Sequence, residues 1–296
     1  MKICHYNEGR AGVVDGDKVY PLGDALVKAG HLKQGYTMLE VITVLANEPA
    51  AMAVARDTAK LGAAVPLASV KLLAPITNPP TVWAAAANYK AHQQEMLARV
   101  GTYERKELTK DQLMAEFFIK PSSSIIGPGG TVLLPKVSTH VDFEAELCAV
   151  IGKTARKVSE ERAHDYIFGY TICWDFSQRD PWGKGGVQNT RNIRKGFDTF
   201  TGLGPWIVTK DEIPDPQDLH IRVEQNGKEV MTAHTADMIC NLREHIRFLS
   251  DVLTLQPGVL ITTGTPAGVS MLKHGDKLKG SITKIGEMEF SVADDK

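Results

Sequence analysis

Two short runs, FEAELCAVI (143–151) and YTICWD (170–175), constrain this chain of 296 residues more than any other stretch. Their β-branched and aromatic residues read as strands, yet each carries carboxylates. Glu144 and Glu146 lie two residues apart, so both side chains leave the same face of their strand, and Asp175 ends the second run. Acidic groups that converge without a basic neighbour repel one another, and a hard divalent cation relieves that repulsion. An all-oxygen shell suits Mg²⁺, Mn²⁺ or Ca²⁺ rather than zinc. The competing explanation is a solvated strand face, which an isolated E-x-E pair does not exclude.

Between the two runs, VSEERAHDY (158–166) offers Ser159 as an N-cap with acids in the first turn, which predicts one short helix. The length of the chain allows one large domain or two unequal ones. Residues 2–22 read as a hairpin region with a turn at Asp15-Gly16, followed by helical patterns over 37–47 and 50–61. The stretch VPLASVKLLAPITNPP, with four prolines, then breaks the pattern. This places a small N-terminal domain at 1–75 and the main domain at 76–296.

Downstream, TVWAAAANYKAHQQEM reads as a strand entering a helix that carries His92 and Glu95 at i and i+3. They share a face, and an imidazole oriented by a carboxylate is the ordinary construction of a general base. A surface helix with a chance His and Glu has the same spacing. The charged segment 97–118 reads as a lid or a peripheral helix. Lys195 is placed to neutralise a carboxylate or an enolate, with Asp198 three residues on to orient it; a surface ion pair is the plainer alternative. The run Gly183-Lys184-Gly185-Gly186 lacks the spacing of a phosphate-binding loop and reads as a flexible loop. Asn226-Gly227 marks a hairpin, and TADMICNLREHIRFLSDVLTL (235–255) is the strongest amphipathic helix, with His245 close to its apolar face as a packing or surface residue.

Charge narrows the partners. Lys+Arg 34 against Asp+Glu 35 gives no electrostatic footprint for nucleic acid or an anionic membrane. The N-terminus lacks the apolar core of a signal peptide, and no apolar run reaches spanning length. A cytoplasmic protein is therefore expected. Cys4, Cys148, Cys173 and Cys240 form no C-x-x-C pair and are expected as buried, reduced thiols.

Six motifs occur in consistent order: NYKAHQQEM (88–96), KPSSS (120–124), VDFEAEL (141–147), GYTICWDFSQRD (169–180), KGFDTFTGLGPW (195–206) and TTGTPAGV (262–269). Together they resemble the fumarylacetoacetate hydrolase family, in particular bacterial members with a short N-terminal domain. The resemblance implies an α+β fold, a mixed β-sandwich roll with a small N-terminal α/β domain. It also implies a Mg²⁺ or Mn²⁺ ion held by Glu144, Glu146 and Asp175. His92 and Glu95 match the family's water-activating pair, and Lys195 its substrate-facing lysine. Arg179, Thr265, Tyr89 and Lys120 fall at positions expected to bind substrate. A homodimer is the usual assembly in such a family.

The activity this implies is hydrolysis of a C–C bond in an acylpyruvate-like or 1,3-dicarbonyl 2-oxo acid. Two alternatives stay open: a 2-oxo acid decarboxylase or keto–enol isomerase on the same scaffold, and a non-catalytic binding protein. Trp174, Phe176, Gln178 and Val259 depart from the family's usual residues, and Trp174 and Phe176 are expected to make the substrate different.

Overall fold

In a computed structural model, which describes residues 1–58, 60, 64–100, 108–180 and 190–296, the two acidic runs lie side by side as antiparallel strands. They are Ala145–Ile151 and Ile167–Asp175, with Ala145 opposite Trp174 and Glu146 opposite Cys173. Every residue of both strands is buried, so the sheet is covered on two faces and alternation sends neighbouring side chains into different cores. Leu147, Ala149, Ile172 and Trp174 enter one core with Leu242, Ile246, Leu249 and Phe290. Cys148, Val150 and Cys173 enter the other with Leu26, Ile42, Leu45 and Ala55.

From edge to edge the larger sheet runs Val65–Pro66, Lys18–Pro21, Arg10–Asp15, Lys2–Tyr6, Thr201–Thr209, Ile167–Asp175, Ala145–Ile151, Leu260–Thr262, Val82–Ala84 and Phe118–Lys120. Leu260–Thr262 runs parallel to Val82–Ala84, whereas the central pairs are antiparallel. A second sheet, in the order Lys228–His234, His220–Gln225, Lys277–Ile282, Gly286–Asp294 and Thr131–Leu134, packs with the helix Leu242–Val252 into the Trp174 core. The fold is thus mixed α+β with extensive mixed sheets.

Residues 1–75 continue this sheet. Lys2–Tyr6 pairs with Thr201–Thr209, and the helices Leu22–Lys28, Met38–Asn47 and Pro49–Thr58 bury Leu26, Ile42, Leu45 and Ala55 against the central strands. Met38–Asn47 starts where Thr37 and Glu40 form a capping box, each satisfying a backbone N–H that a helix start leaves open. The hairpin at Asn226-Gly227 matches the sequence reading; the short helix Glu160–Tyr166 follows Ser159 as expected, but it is a 3₁₀ helix and Ser159 makes no side-chain cap bond. The amphipathic helix is shorter than its 235–255 pattern: Asn241 caps it through Glu244, so it covers Leu242–Val252, and Thr235–Asp237 is a separate turn. No single helix among the described residues is long and apolar enough to cross a membrane. All four cysteines are free and buried.

Trp174 and Phe176 lie elsewhere than expected. Trp174 is one residue from Asp175 and leaves the opposite face of the strand. It stacks on Phe176 with ring centroids 5.9 Å apart and meets Phe290 edge-on at 5.6 Å. Both residues are wholly buried in the core, where Gly202 and Gly280 leave room for the indole. They pack on the face of the strand opposite the carboxylate cluster. The Gly183–Gly186 loop, and residues 101–107 of the lid segment, lie outside the described residues; its described parts form the end of the helix Lys90–Val100 and the helix Lys110–Met114.

Candidate active site

Strand register brings the three acids together. Glu146 faces Cys173 across the ladder, and the Asp175 N–H donates to the Glu144 carbonyl at 2.8 Å. Glu144, Glu146 and Asp175 therefore leave one face of the sheet, with one oxygen of each within 4.8 Å of the others. All three are buried, which excludes the solvated-face explanation.

Three cations surround them. Lys195 Nζ donates to Glu144 Oε2 at 2.7 Å and to Asp175 Oδ2. Lys120 Nζ donates to Asp175 Oδ1 and to the Lys195 carbonyl at 2.6 Å. Arg179 places Nε 2.8 Å from both oxygens of Asp142 and donates to Glu144 through a terminal nitrogen. Asp142, fully buried, is a residue that sequence reasoning missed. The signal was present, because Asp142, Glu144 and Glu146 share strand parity.

These cations are distributed unevenly. Burial opposes ionisation of Glu144, but Lys195, Arg179 and His92 outweigh it and hold the carboxyl well below the usual range. Lys195, despite its burial, is pushed up by Asp175 and Glu144 and stays charged. Glu146 has no cation in direct contact among the described residues: burial, then the charges of Asp175 and Glu144, outweigh the more distant Lys195 and push its carboxyl up to about 8. Its Oε2 accepts from the Gly264 N–H at 2.8 Å, while Oε1 has no partner in hydrogen-bonding geometry among the described residues. A carboxylate short of positive charge, with one oxygen orphaned and two more carboxylates beside it, fits a hard divalent cation.

His92 borders this cluster from the helix Lys90–Val100. Its Nδ1 lies 3.4 Å from Glu95 Oε2, and its Nε2 lies 3.9 Å from Glu144 Oε1. Glu95 is held in turn by the Gly268 N–H, at 3.3 and 3.2 Å from its two oxygens. The i, i+3 pair of the sequence is thus in contact, although Nδ1 has no partner in hydrogen-bonding geometry among the described residues, and Nε2 faces the carboxylate cluster.

The remaining expected residues divide. Tyr89 is buried with its hydroxyl unpartnered among the described residues, and burial followed by the charge of Glu146 raises its phenol. Thr265 Oγ1 donates to the Ala145 carbonyl at 3.3 Å. Arg179 donates to Asp142 and Glu144, and Lys120 to Asp175 and the Lys195 carbonyl. Asp198 is exposed; Glu144 and Asp175 orient Lys195 instead.

A charge-tuned carboxylate cluster with an oriented imidazole at its rim, buried in a mixed two-sheet fold, is the construction of a hydrolytic enzyme. The model of the fumarylacetoacetate (FAA) hydrolase C-terminal family matches residues 81–293, and the chain belongs to that family. It is 36% identical over 293 residues to the maleylpyruvate hydrolase of Aquipseudomonas alcaligenes, covering 99% of each chain. The structure of the maleylpyruvate hydrolase from Sphingobium sp. SYK-6 in complex with manganese(II) and pyruvate matches with a TM-score of 0.82 and 32% identity over 100% of both chains. The mitochondrial oxaloacetate tautomerase Fahd2a of Rattus norvegicus is 37% identical over 229 residues, covering 75% of this chain and 69% of the relative. This full-length kinship to a hydrolase sets aside the non-catalytic alternative.

Proposed function

We propose that the chain cleaves the C–C bond of an acylpyruvate-type 2-oxo acid with water, releasing pyruvate and a carboxylic acid, with Glu144, Glu146 and Asp175 holding a Mg²⁺ or Mn²⁺ ion. The observation that carries this reading is the orientation of His92, with Nδ1 toward Glu95 and Nε2 toward the carboxylate cluster. The manganese and pyruvate seen in the Sphingobium relative support the same ion class and product. A divalent cation in this site supplies Lewis acidity toward the carboxylate and keto oxygens of a 2-oxo acid.

The chain's own residues supply the proton chemistry. Glu95, fixed by Gly268, holds the His92 tautomer with the proton on Nδ1, which leaves Nε2 free to accept. Nε2 takes a proton from water as the oxygen attacks the distal acyl carbonyl. The C–C bond then breaks, its electron pair leaves as the enolate of pyruvate, and the proton on Nε2 returns to that carbon. Lys195 stabilises the enolate charge, and the Tyr89 hydroxyl and Thr265 contact the substrate. Arg179 and Lys120 act behind the carboxylates. In this reading residues 1–75 form a small N-terminal domain that covers one face of the catalytic sheet, and the enzyme works as a homodimer.

A panel of acylpyruvates, oxaloacetate and hydroxymuconate-type dienes, assayed after chelation and again after Mg²⁺ or Mn²⁺ is restored, tests the proposal. Metal-dependent release of pyruvate from an acylpyruvate is expected; activity indifferent to chelation contradicts it. The kinship to the rat tautomerase favours a second reading, keto–enol isomerisation or decarboxylation of an oxaloacetate-type acid at the same site. That reading predicts turnover without consumption of water.

A further inference from the structure

The segment Thr263–Gly268 touches both halves of the proposed machinery through its backbone. At one end the Gly264 N–H holds Glu146, and at the other the Gly268 N–H holds Glu95. Thr263 and Thr265 tie the same segment to the carbonyls of Leu147 and Ala145, which flank Glu146. Both glycines have positive φ, +82° and +113°, a conformation that other residues adopt only with strain.

One side chain fixes this segment from the other direction. Asn88, buried and four residues before His92, donates its amide to the Thr263 carbonyl at 2.8 Å and to the Cys240 carbonyl at 2.8 Å. Its oxygen accepts from the Cys240 N–H at 2.7 Å. A Cβ on Gly264 would stand 2.9 Å from the Asn88 Cβ, so the two are packed without slack. The amide thus joins three pieces of chain: the start of the His92 helix, the approach to the Leu242–Val252 helix, and the loop that holds Glu146 and Glu95.

We propose that Asn88 is a positioning residue that sets the ligand Glu146 and the base pair His92–Glu95 in register with one another, through the Thr263–Gly268 loop, without itself touching substrate. The inference rests on the reading of Glu146 as a metal ligand. Partners hydrogen-bonded directly to a metal ligand typically change affinity or activity by about 10–100-fold when lost, and Asn88 acts one bond further out, through the Thr263–Gly264 peptide.

The test measures Mn²⁺ binding by calorimetry, and kcat and KM at saturating Mn²⁺, below the melting temperature of every variant. Asn88→Asp keeps the acceptor for Cys240 and turns both donors into an oxygen facing two carbonyls. It should weaken Mn²⁺ binding by about 10-fold, the low end of the range for direct partners, and lower kcat more than it changes KM. Gly264→Ala strains the same contact from the loop side and should weaken Mn²⁺ binding likewise, which decides the matter if Asn88→Asp does not fold. Gly268→Ala strains the Glu95 end of the loop against the Val230 carbonyl, 2.4 Å from the added Cβ, and should lower kcat with Mn²⁺ affinity unchanged. If Asn88→Asp or Gly264→Ala lowers the melting temperature but leaves Mn²⁺ affinity and kcat at wild-type values, Asn88 is merely structural and the proposal is overturned. Glu146→Gln separates the two claims: wild-type Mn²⁺ affinity in that variant overturns the ligand assignment instead.

Discussion

His92 Nε2 stands 3.9 Å from Glu144 Oε1, so the imidazole and the carboxylate cluster face each other across a narrow gap. In the proposed mechanism a base in that position acts on water beside the cluster and does not hold the ion. His92→Ala should lower kcat by about 10²–10⁴ with Mn²⁺ affinity within a factor of two or so of wild type, a split that calorimetry and steady-state kinetics resolve. Full activity in the variant would remove His92 from the mechanism.

Glu146, pushed up to about 8 by burial and its acidic neighbours, makes cation binding a competition with a proton. Below pH 8 the carboxyl is mostly protonated, so apparent Mn²⁺ affinity should rise by up to about tenfold per pH unit as the pH climbs toward 8, then level off. Calorimetry at pH 6, 7 and 8 checks this, and an affinity flat across that range would contradict it.

The Arg179–Asp142 pair is buried, and its loss is costly on one side. Arg179→Ala leaves Asp142 without its counter-ion, which should destabilise the fold by about 3–5 kcal/mol; Asp142→Asn with Arg179→Met should recover part of that. Denaturant titration of the two variants gives the comparison. Equal stability for both would mean that the ion pair does not anchor Glu144.

His245 is a buried base whose burial, reinforced by Lys110, lowers its pKa to about 3. It lies near the Asn88 amide, with Phe117 edge-on 5.1 Å from its ring. Because the folded pKa lies below the unfolded value near 6.5, the stability it contributes is complete above pH 6.5. It is lost as the pH falls toward 3, at no more than about 1.4 kcal/mol per pH unit. Unfolding curves at pH 7, 6 and 5 should show this slope in the wild type and a shallower one in His245→Gln, and identical slopes would contradict it.

Trp174 illustrates what the sequence hides. A strand's alternation states that Trp174 and Asp175 leave opposite faces, but only the second sheet, whose Gly280 and Phe290 lie more than a hundred residues further along the chain, reveals that the Trp174 face is packed. Gly280→Ala, whose Cβ would lie 2.3 Å from the indole, should cost about 1–3 kcal/mol and leave the ranking of substrates unchanged. A changed ranking would return Trp174 to the substrate pocket.

The same contrast separates the legible from the hidden elsewhere. The E-x-E pair and the His92–Glu95 pair are local spacings, but spacing alone left a solvated face and a chance pair open, and Asp175 joined them only through the family motifs; the caps at Thr37 and Asn241 were not read, and Ser159 makes no side-chain cap bond. Asp142 was readable by parity and overlooked. The inward turn of Arg179 and Lys120 was not readable, because a cation's choice between substrate and carboxylate depends on strands that meet only in the fold. The backbone donors of Gly264 and Gly268 leave no side-chain signature, since their function lies in an N–H group and a positive φ.

Hydrolysis by water activated at His92 is the central claim, and isotope transfer tests it most directly. Turnover of an acylpyruvate in H₂¹⁸O with saturating Mn²⁺ should place one ¹⁸O in the carboxylate of the released acyl acid, a label independent of keto exchange in pyruvate. Turnover that yields an isomer or CO₂, with no labelled acid, would contradict the account.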